Sequence, residues 1–384
     1  MAAESIDSKP SGPAYQAPFD LSFEVSLIFS KLIAGVYASL HPINVLIAGV
    51  ALFLVIGVDA WLPGAPELAT ENLADAKATE VPGKFVPEFP IFERVGTTTN
   101  PLVIASELTH PWADLVRGRF WRQAVICLWA LFVWSWAGTM ICRSIALRIG
   151  RIDHQWLDVV RFANQHFLDS LFSILIPLAA VVALAIPLMA TGWLLVWDWT
   201  SILGAPLAAL GSVLGLLIGV VLLGLFLAWP LMFPAIAFEG RDSFESISRA
   251  YAYVMQRPIH ACVIALAAIA IGSVTGTVIE WFCSLSANGH AWALSWGANA
   301  AHADRLSELL AAPTTPAPAI AQYWSGPWLR TSQEGFSFLA RAAGYSMFWG
   351  LASGAYLLLR RYLDQTPVDE IYRPGQSTLK PLDT

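Results

Sequence analysis

The chain has 384 residues, of which 56% are hydrophobic and 13% are charged, roughly half the charged share of a soluble domain. Mean hydropathy is +0.58, and the apolar residues form long blocks, which predicts a helical membrane protein and disfavours the alternating pattern of an outer-membrane barrel. The net charge of −6 offers no basic surface, so the composition argues against nucleic-acid binding.

The predicted domain organisation has three parts. Residues 1–20 are polar and contain prolines, which predicts a disordered N-terminal tail without a cleavable signal peptide. Residues 21–363 form the predicted membrane domain, and residues 364–384 form a cytoplasmic C-terminal tail. The predicted fold class is all-α: a polytopic membrane bundle of about six transmembrane helices, in three helix-hairpin units with cytoplasmic amphipathic helices.

Six apolar segments have the length of about 20 residues that a helix needs to cross a bilayer. The predicted spans are 42–62, 120–142, 171–193, 207–229, 259–279 and 336–359. Residues 63–119 and 284–333 are the predicted outer loops. Arginines follow the second, fourth and sixth spans, so the positive-inside rule predicts a multi-pass protein of the cytoplasmic (inner) membrane with both termini in the cytoplasm.

A short amphipathic helix is predicted before three of the spans. We call these three helices the collar: residues 21–40, 153–168 and 242–256. Asp153 and Asp242 are the predicted N-caps of the second and third helices, and Pro258 ends the third. Apolar residues at helical spacing predict the buried face of the third helix: Phe244, Ile247, Tyr251 and Val254.

Cationic side chains in or beside the collar are the candidate contacts for lipid or for a partner: Arg161, Arg241, Arg249 and Arg257. Each arginine close to an anionic leaflet contributes roughly 1 kcal/mol to binding. The alternative interpretation is that these charges only set the topology. The predicted partners are membrane lipids and other membrane or cytoplasmic proteins.

Small residues recur every fourth position in three of the predicted spans. Such stripes let helix backbones approach closely, so helix packing is predicted at Gly211, Gly215, Gly219, Gly272, Gly276, Gly350 and Gly354. The alternative, a pore or substrate tunnel, would need a polar lining that these stripes lack.

The sequence contains no recognisable catalytic or metal-binding motif. No phosphate loop, nucleophile elbow or pair of histidines at ligand spacing occurs, so we predict no enzyme activity, no cofactor and no metal site. The only cluster of ionisable groups that a membrane enzyme could use is Asp59 with Glu280, near the outer face. Pairing of Cys127 with Cys283 stays open.

Three segments carry a resemblance to known proteins: Arg117 to Arg122, Trp136 to Arg143 and Glu239 to Arg249. They resemble an uncharacterised group of bacterial six-span integral membrane proteins, and more loosely the membrane domain attached to some glycerophosphodiester phosphodiesterases. The phosphodiesterase itself is a separate barrel of about 250 residues, for which this chain has no room. The resemblance therefore implies a membrane bundle and no catalytic residue.

The leading hypothesis is a non-enzymatic membrane scaffold that organises lipid or partner proteins through the collar. It rests on amphipathic helices without a catalytic constellation. The alternative is a transporter or channel for a small or lipidic substrate, which would require a polar cavity between the spans.

Overall fold

The structure is a computed structural model that describes residues 21–61, 101, 104, 120–298, 320–365 and 371–372. Within these ranges all regular structure is helical. The helices, numbered in chain order, are α1 Leu21–Ser39, α2 Pro42–Trp61, α3 Phe120–Ile149, α4 Trp156–Gln165, α5 Phe167–Leu195, α6 Asp198–Glu239, α7 Ser243–Gln256, α8 Pro258–Ala298 and α9 Ile320–Asp364. The predicted tail 1–20 and most of the predicted loop 63–119 lie outside the described residues.

Several of these helices are long and apolar enough to cross a membrane. Four qualify within the described residues: Arg122–Ile149, Phe167–Leu195, Trp199–Glu239 and Pro258–Gly297. The pair Ser26–Ser39 and Pro42–Val58 qualifies jointly but is bent by 71°. The prediction of an all-helical, multi-pass membrane protein is therefore confirmed, with four or five candidate spans. The predicted sixth span, 336–359, lies inside α9, which does not qualify.

Some helices are much longer than the spans predicted for them. α6 has 42 residues and a length of about 63 Å at 1.5 Å per residue, about twice the hydrocarbon thickness of a bilayer. Residues 284–298 and 320–333, which were predicted to lie in an outer loop, are helical parts of α8 and α9.

Local signals set the ends of the short helices. Asp242 caps α7, because its Oδ1 accepts a hydrogen bond from the Glu245 backbone N–H at 2.9 Å. Pro258 then opens α8, a position where its missing N–H costs nothing. The predicted cap at Asp153 is wrong: α4 begins at Trp156 with Gln155 as N-cap, whose N–H lies 3.3 Å from Oδ2 of Asp158.

The core is built largely from α1, α2, α3, the C-terminal part of α6, and α9. Aromatic rings fill its centre. Trp134 stacks on Tyr345 with ring centres 4.9 Å apart, and Trp229 stacks on Phe348 at 5.4 Å. Trp349 is fully buried between them. α5 and the first half of α6 pack on each other and leave most of their apolar surface exposed, as expected for lipid-facing helices.

The predicted small-residue stripes differ in what they face. A Cβ added at Gly350 would lie 2.6 Å from the Gly35 carbonyl oxygen, and one at Gly354 would lie 3.1 Å from the Lys31 carbonyl oxygen, so α9 packs closely on α1. Gly272 faces Leu351, Gly211 faces Leu188, and Gly276 is buried. Gly215 and Gly219 have no atom within 4 Å of such a Cβ, so the packing predicted there is absent within the described chain.

The buried face of α7 agrees with the predicted one except at Phe244, because Val254 is buried and Ile247 and Tyr251 are partly buried against the core. Its buried residues are Ser246, Ala250, Tyr253 and Val254, whereas the predicted Phe244 is 71% exposed. Small side chains at Ser246 and Ala250 let α7 approach the bundle closely, and this contact outweighs the burial of Phe244.

Candidate functional site

A network of charged and tyrosine side chains joins the adjacent ends of α6, α7 and α9. We call it the Glu239 cluster, and its members are Glu239, Arg241, Glu245, Arg249, Tyr253, Tyr356, Arg360 and Asp364. The Glu239 side chain is only 6% exposed. Its carboxylate lies 2.7 Å from Nη1 of Arg249 and 3.2 Å from Nε of Arg360, and it accepts a hydrogen bond from the Tyr356 hydroxyl at 2.6 Å. One carboxylate thus ties three helices together.

Asp364, in the last turn of α9, forms the second anchor of the cluster. Nη1 of Arg249 lies 3.3 Å from its carboxylate, and the Tyr253 hydroxyl donates a hydrogen bond to the same oxygen. Arg249 therefore bridges Glu239 at the end of α6 and Asp364 at the end of α9, while Glu245 supports it within α7 at 3.2 Å.

The environment shifts the protonation of two side chains of α7. Burial lowers the pKa of the Arg249 guanidinium, but the Glu239 carboxylate together with Tyr253 and Tyr356 outweighs this and raises the pKa above its ordinary value. Burial, together with the hydrogen bond to Asp364 and its charge, raises the pKa of the Tyr253 hydroxyl. Both residues therefore keep their protons at physiological pH. The positive charges of three guanidinium groups balance the negative charges of three carboxylates in the Glu239 cluster. This balance allows the cluster to hold the helix ends together.

A second buried cation lies beside the cluster. Arg143 of α3 is 3% exposed and donates to two carbonyl oxygens: Nη1 to Ala237 at 2.8 Å and Nη2 to Tyr372 at 2.9 Å. Its guanidinium carbon lies 4.2 Å from the centre of the Phe162 ring, a cation–π contact. Arg143 directly follows the predicted span 120–142, a position from which a long side chain can reach water. The structure instead buries it against the C-terminal turn of α6.

Comparison with known protein families, curated proteins and solved structures finds no match. The resemblance to six-span bacterial membrane proteins and to the phosphodiesterase membrane domain stays a prediction. The interpretation of the site therefore rests on its own geometry.

The four predicted contact arginines occupy different environments. Arg161 is the most open, with a side chain 72% exposed beside Asp158, and Arg257 is exposed at the break between α7 and α8. Arg241 is 43% exposed and pairs with Glu239 and Glu245. Arg249 is only 28% exposed, and its guanidinium is engaged by three carboxylates. Arg161 and Arg257 are therefore best placed to reach an external ligand.

An open cleft of about 450 Å³ lies between α8 and α9, at the ends remote from the Glu239 cluster. Its lining includes Glu280, Trp281, Cys283, Gln333 and Phe336. Within the described residues no group of three or more His, Cys, Asp or Glu side chains is placed to hold a metal ion.

Two further sequence-based expectations concern this part of the chain. The side chain of Asp59, the predicted neighbour of Glu280, lies outside the described residues. Cys127 and Cys283 are buried, free thiols, so the disulfide left open by the sequence is not formed.

Proposed function

We propose that the protein is a non-enzymatic, multi-pass scaffold of the cytoplasmic membrane. In this proposal the chain crosses the membrane six times, both termini lie in the cytoplasm, and the collar binds anionic lipid headgroups and protein partners. The Glu239 cluster holds the inner ends of the helices together and gives the collar a fixed shape.

The exposure of two arginines supports the proposal most directly. Arg161 and Arg257 are exposed and lie on or beside short helices that each precede a long apolar helix. An arginine at such a boundary can reach headgroup phosphates without leaving an ion pair in the bundle. Arg249 cannot do so, because Glu239 and Asp364 already hold it.

The packing of the bundle centre also favours a scaffold. Trp134, Trp229 and Trp349 with their aromatic partners occupy the space where a central pathway would run. A substrate path through this region would require large rearrangement of closely packed side chains, of which Trp134 and Trp349 are buried and Trp229 is partly buried.

The proposal is tested by counting the anionic lipids that remain bound to the purified protein, by native mass spectrometry in mild detergent. Arg161→Glu combined with Arg257→Glu removes two contacts of roughly 1 kcal/mol each, so we expect the affinity for anionic lipid to fall by roughly 30-fold. Arg161→Lys with Arg257→Lys is the matched control and should retain the lipid. Equal retention by the charge-reversed and control proteins would refute the proposal.

The cleft between α8 and α9 favours a transporter or channel as the second candidate function. Its volume of about 450 Å³ falls in the range of small-molecule sites, and Glu280 supplies a carboxylate within a helix that is long and apolar enough to cross a membrane. Uptake of a cationic solute into proteoliposomes, abolished by Glu280→Gln, would support this function over the scaffold.

A further inference from the structure

Two residues from beyond the last helix are seated against the bundle. The Tyr372 backbone N–H donates to the carbonyl oxygen of Phe238 at 2.9 Å, and the Tyr372 carbonyl oxygen accepts from Nη2 of Arg143 at 2.9 Å. Both backbone groups of one residue are thus paired, as they would be in a strand added to a sheet edge. The bundle therefore pairs with both main-chain groups of Tyr372.

The same surface provides room for the two side chains. Ile371 is 8% exposed and packs on Gly150, where any Cβ would overlap its Cδ1 atom. Gly150 does not have a positive φ, so the backbone conformation does not require glycine, and the absent side chain leaves space that the end of the Ile371 side chain occupies. The Tyr372 ring lies over Gly240, which has φ +63° and would likewise clash if it carried a side chain.

We propose that Arg143, Gly150, Phe238 and Gly240 form a docking groove for an extended segment of a partner protein, with an aliphatic residue followed by an aromatic one. The chain's own Ile371–Tyr372 occupy this groove in cis and so block it. The inference rests on the proposed scaffold function, and it adds the kind of protein partner that the scaffold takes.

Proximity in the chain explains how so short a segment stays bound. Only residues 366–370 separate it from Gln365, just past α9. A tether of this length gives the segment an effective concentration on the order of mM at the groove, so modest contacts suffice to keep it bound in cis. A matching segment in trans must bind more tightly to displace Ile371–Tyr372. Replacement of the chain's own Ile371–Tyr372 by the partner's segment would couple partner binding to the collar.

The test measures binding of a fluorescent peptide with the sequence of residues 368–376 to full-length protein, by anisotropy. Ile371→Asp puts a charge into the aliphatic site and should release the tail. We expect the peptide to bind this variant at least tenfold more tightly than the wild type. Leu379→Asp makes the same change elsewhere in the tail and should behave like the wild type.

Three outcomes would overturn the proposal. The first is no saturable binding to the Ile371→Asp variant. The second is equal binding to variant and wild type. The third is binding that survives when Gly150→Leu, which fills the aliphatic site, is added to Ile371→Asp.

A measurement on the unaltered chain covers the case in which these variants fold poorly. Hydrogen exchange of the Tyr372 amide in the wild type should accelerate at least tenfold in saturating peptide, because the tail is displaced from Phe238. An unchanged rate of hydrogen exchange would refute displacement of the tail by the peptide. If the wild-type protein formed dimers that the peptide dissociated, the tail would bind in trans, and binding in cis would be refuted. Lipid retention does not enter either assay, so failure here is distinguishable from failure of the scaffold proposal.

Discussion

Replacing Glu239 by glutamine tests the role of the Glu239 cluster most sharply. Glutamine keeps the shape of the side chain and an acceptor for the Tyr356 hydroxyl, but it removes the charge that pairs with Arg249 and Arg360. Because the side chain is only 6% exposed, water cannot replace the lost partner. Removing one partner of a buried ion pair typically costs about 3–5 kcal/mol.

The expected loss is a fall in Tm of roughly 4–6 °C for a chain of this size. Thermal unfolding in detergent, followed by intrinsic tryptophan fluorescence, measures it. Glu245→Gln is the matched control, because this carboxylate contacts Arg241 and Arg249 but is 37% exposed, so its loss should cost less than about 1 kcal/mol. The reasoning is refuted if Glu239→Gln unfolds at the same temperature as Glu245→Gln.

The other predictions use the same thermal assay. Gly350→Leu should lower Tm because its side chain would meet α1. Gly215→Leu should leave Tm unchanged, because no atom of the described residues lies within 4 Å of a Cβ at this position. Equal effects of the two substitutions would contradict the packing described. Arg249→Glu should destabilise the protein by placing a third carboxylate between Glu239 and Asp364, and the exposed Arg257→Glu should not. The raised pKa of Tyr253 stabilises the fold below pH about 10, the ordinary tyrosine pKa, and this contribution is lost as pH rises further. Tyr253→Phe should therefore show a smaller fall in Tm between pH 8 and pH 10.5 than the wild type, and an equal fall would exclude this residue as the cause.

Local chemistry made some of the fold predictable. The cap at Asp242 and the start of α8 at Pro258 follow from side-chain hydrogen bonding and from the missing proline N–H, both of which act within a few residues. The membrane class follows from the length of the apolar runs. These features need no knowledge of which helices meet.

The site depended on contacts that a single sequence does not reveal. Tyr356 and Glu239 are 117 residues apart in the chain, and Tyr372 lies 229 residues from Arg143. From the sequence, the arginines near these positions were interpreted as topology signals. An arginine at the end of an apolar run looks the same in the sequence whether its side chain contacts water or a carboxylate. Gly150 was also missed, since it follows a helix without adopting a positive φ.

The prediction that Phe244 lies in the buried face of α7 was wrong for a related reason. Hydrophobic periodicity favoured Phe244, but close packing favoured Ser246 and Ala250, which are too small and weakly apolar to register in such a pattern. The stripe at Gly215 shows the converse, because spacing alone could not distinguish a packed face from an exposed one.

The measurement that tests the scaffold account most directly is the side of the membrane on which α7 lies. In a variant lacking the four native cysteines, Ser248→Cys introduces an exposed thiol on α7, and Ser201→Cys introduces one near the start of α6. The account predicts that a membrane-impermeant maleimide added to intact cells labels Ser201→Cys and labels Ser248→Cys only after the cells are opened. Labelling of Ser248→Cys in intact cells would place the collar outside the cytoplasm and contradict the account.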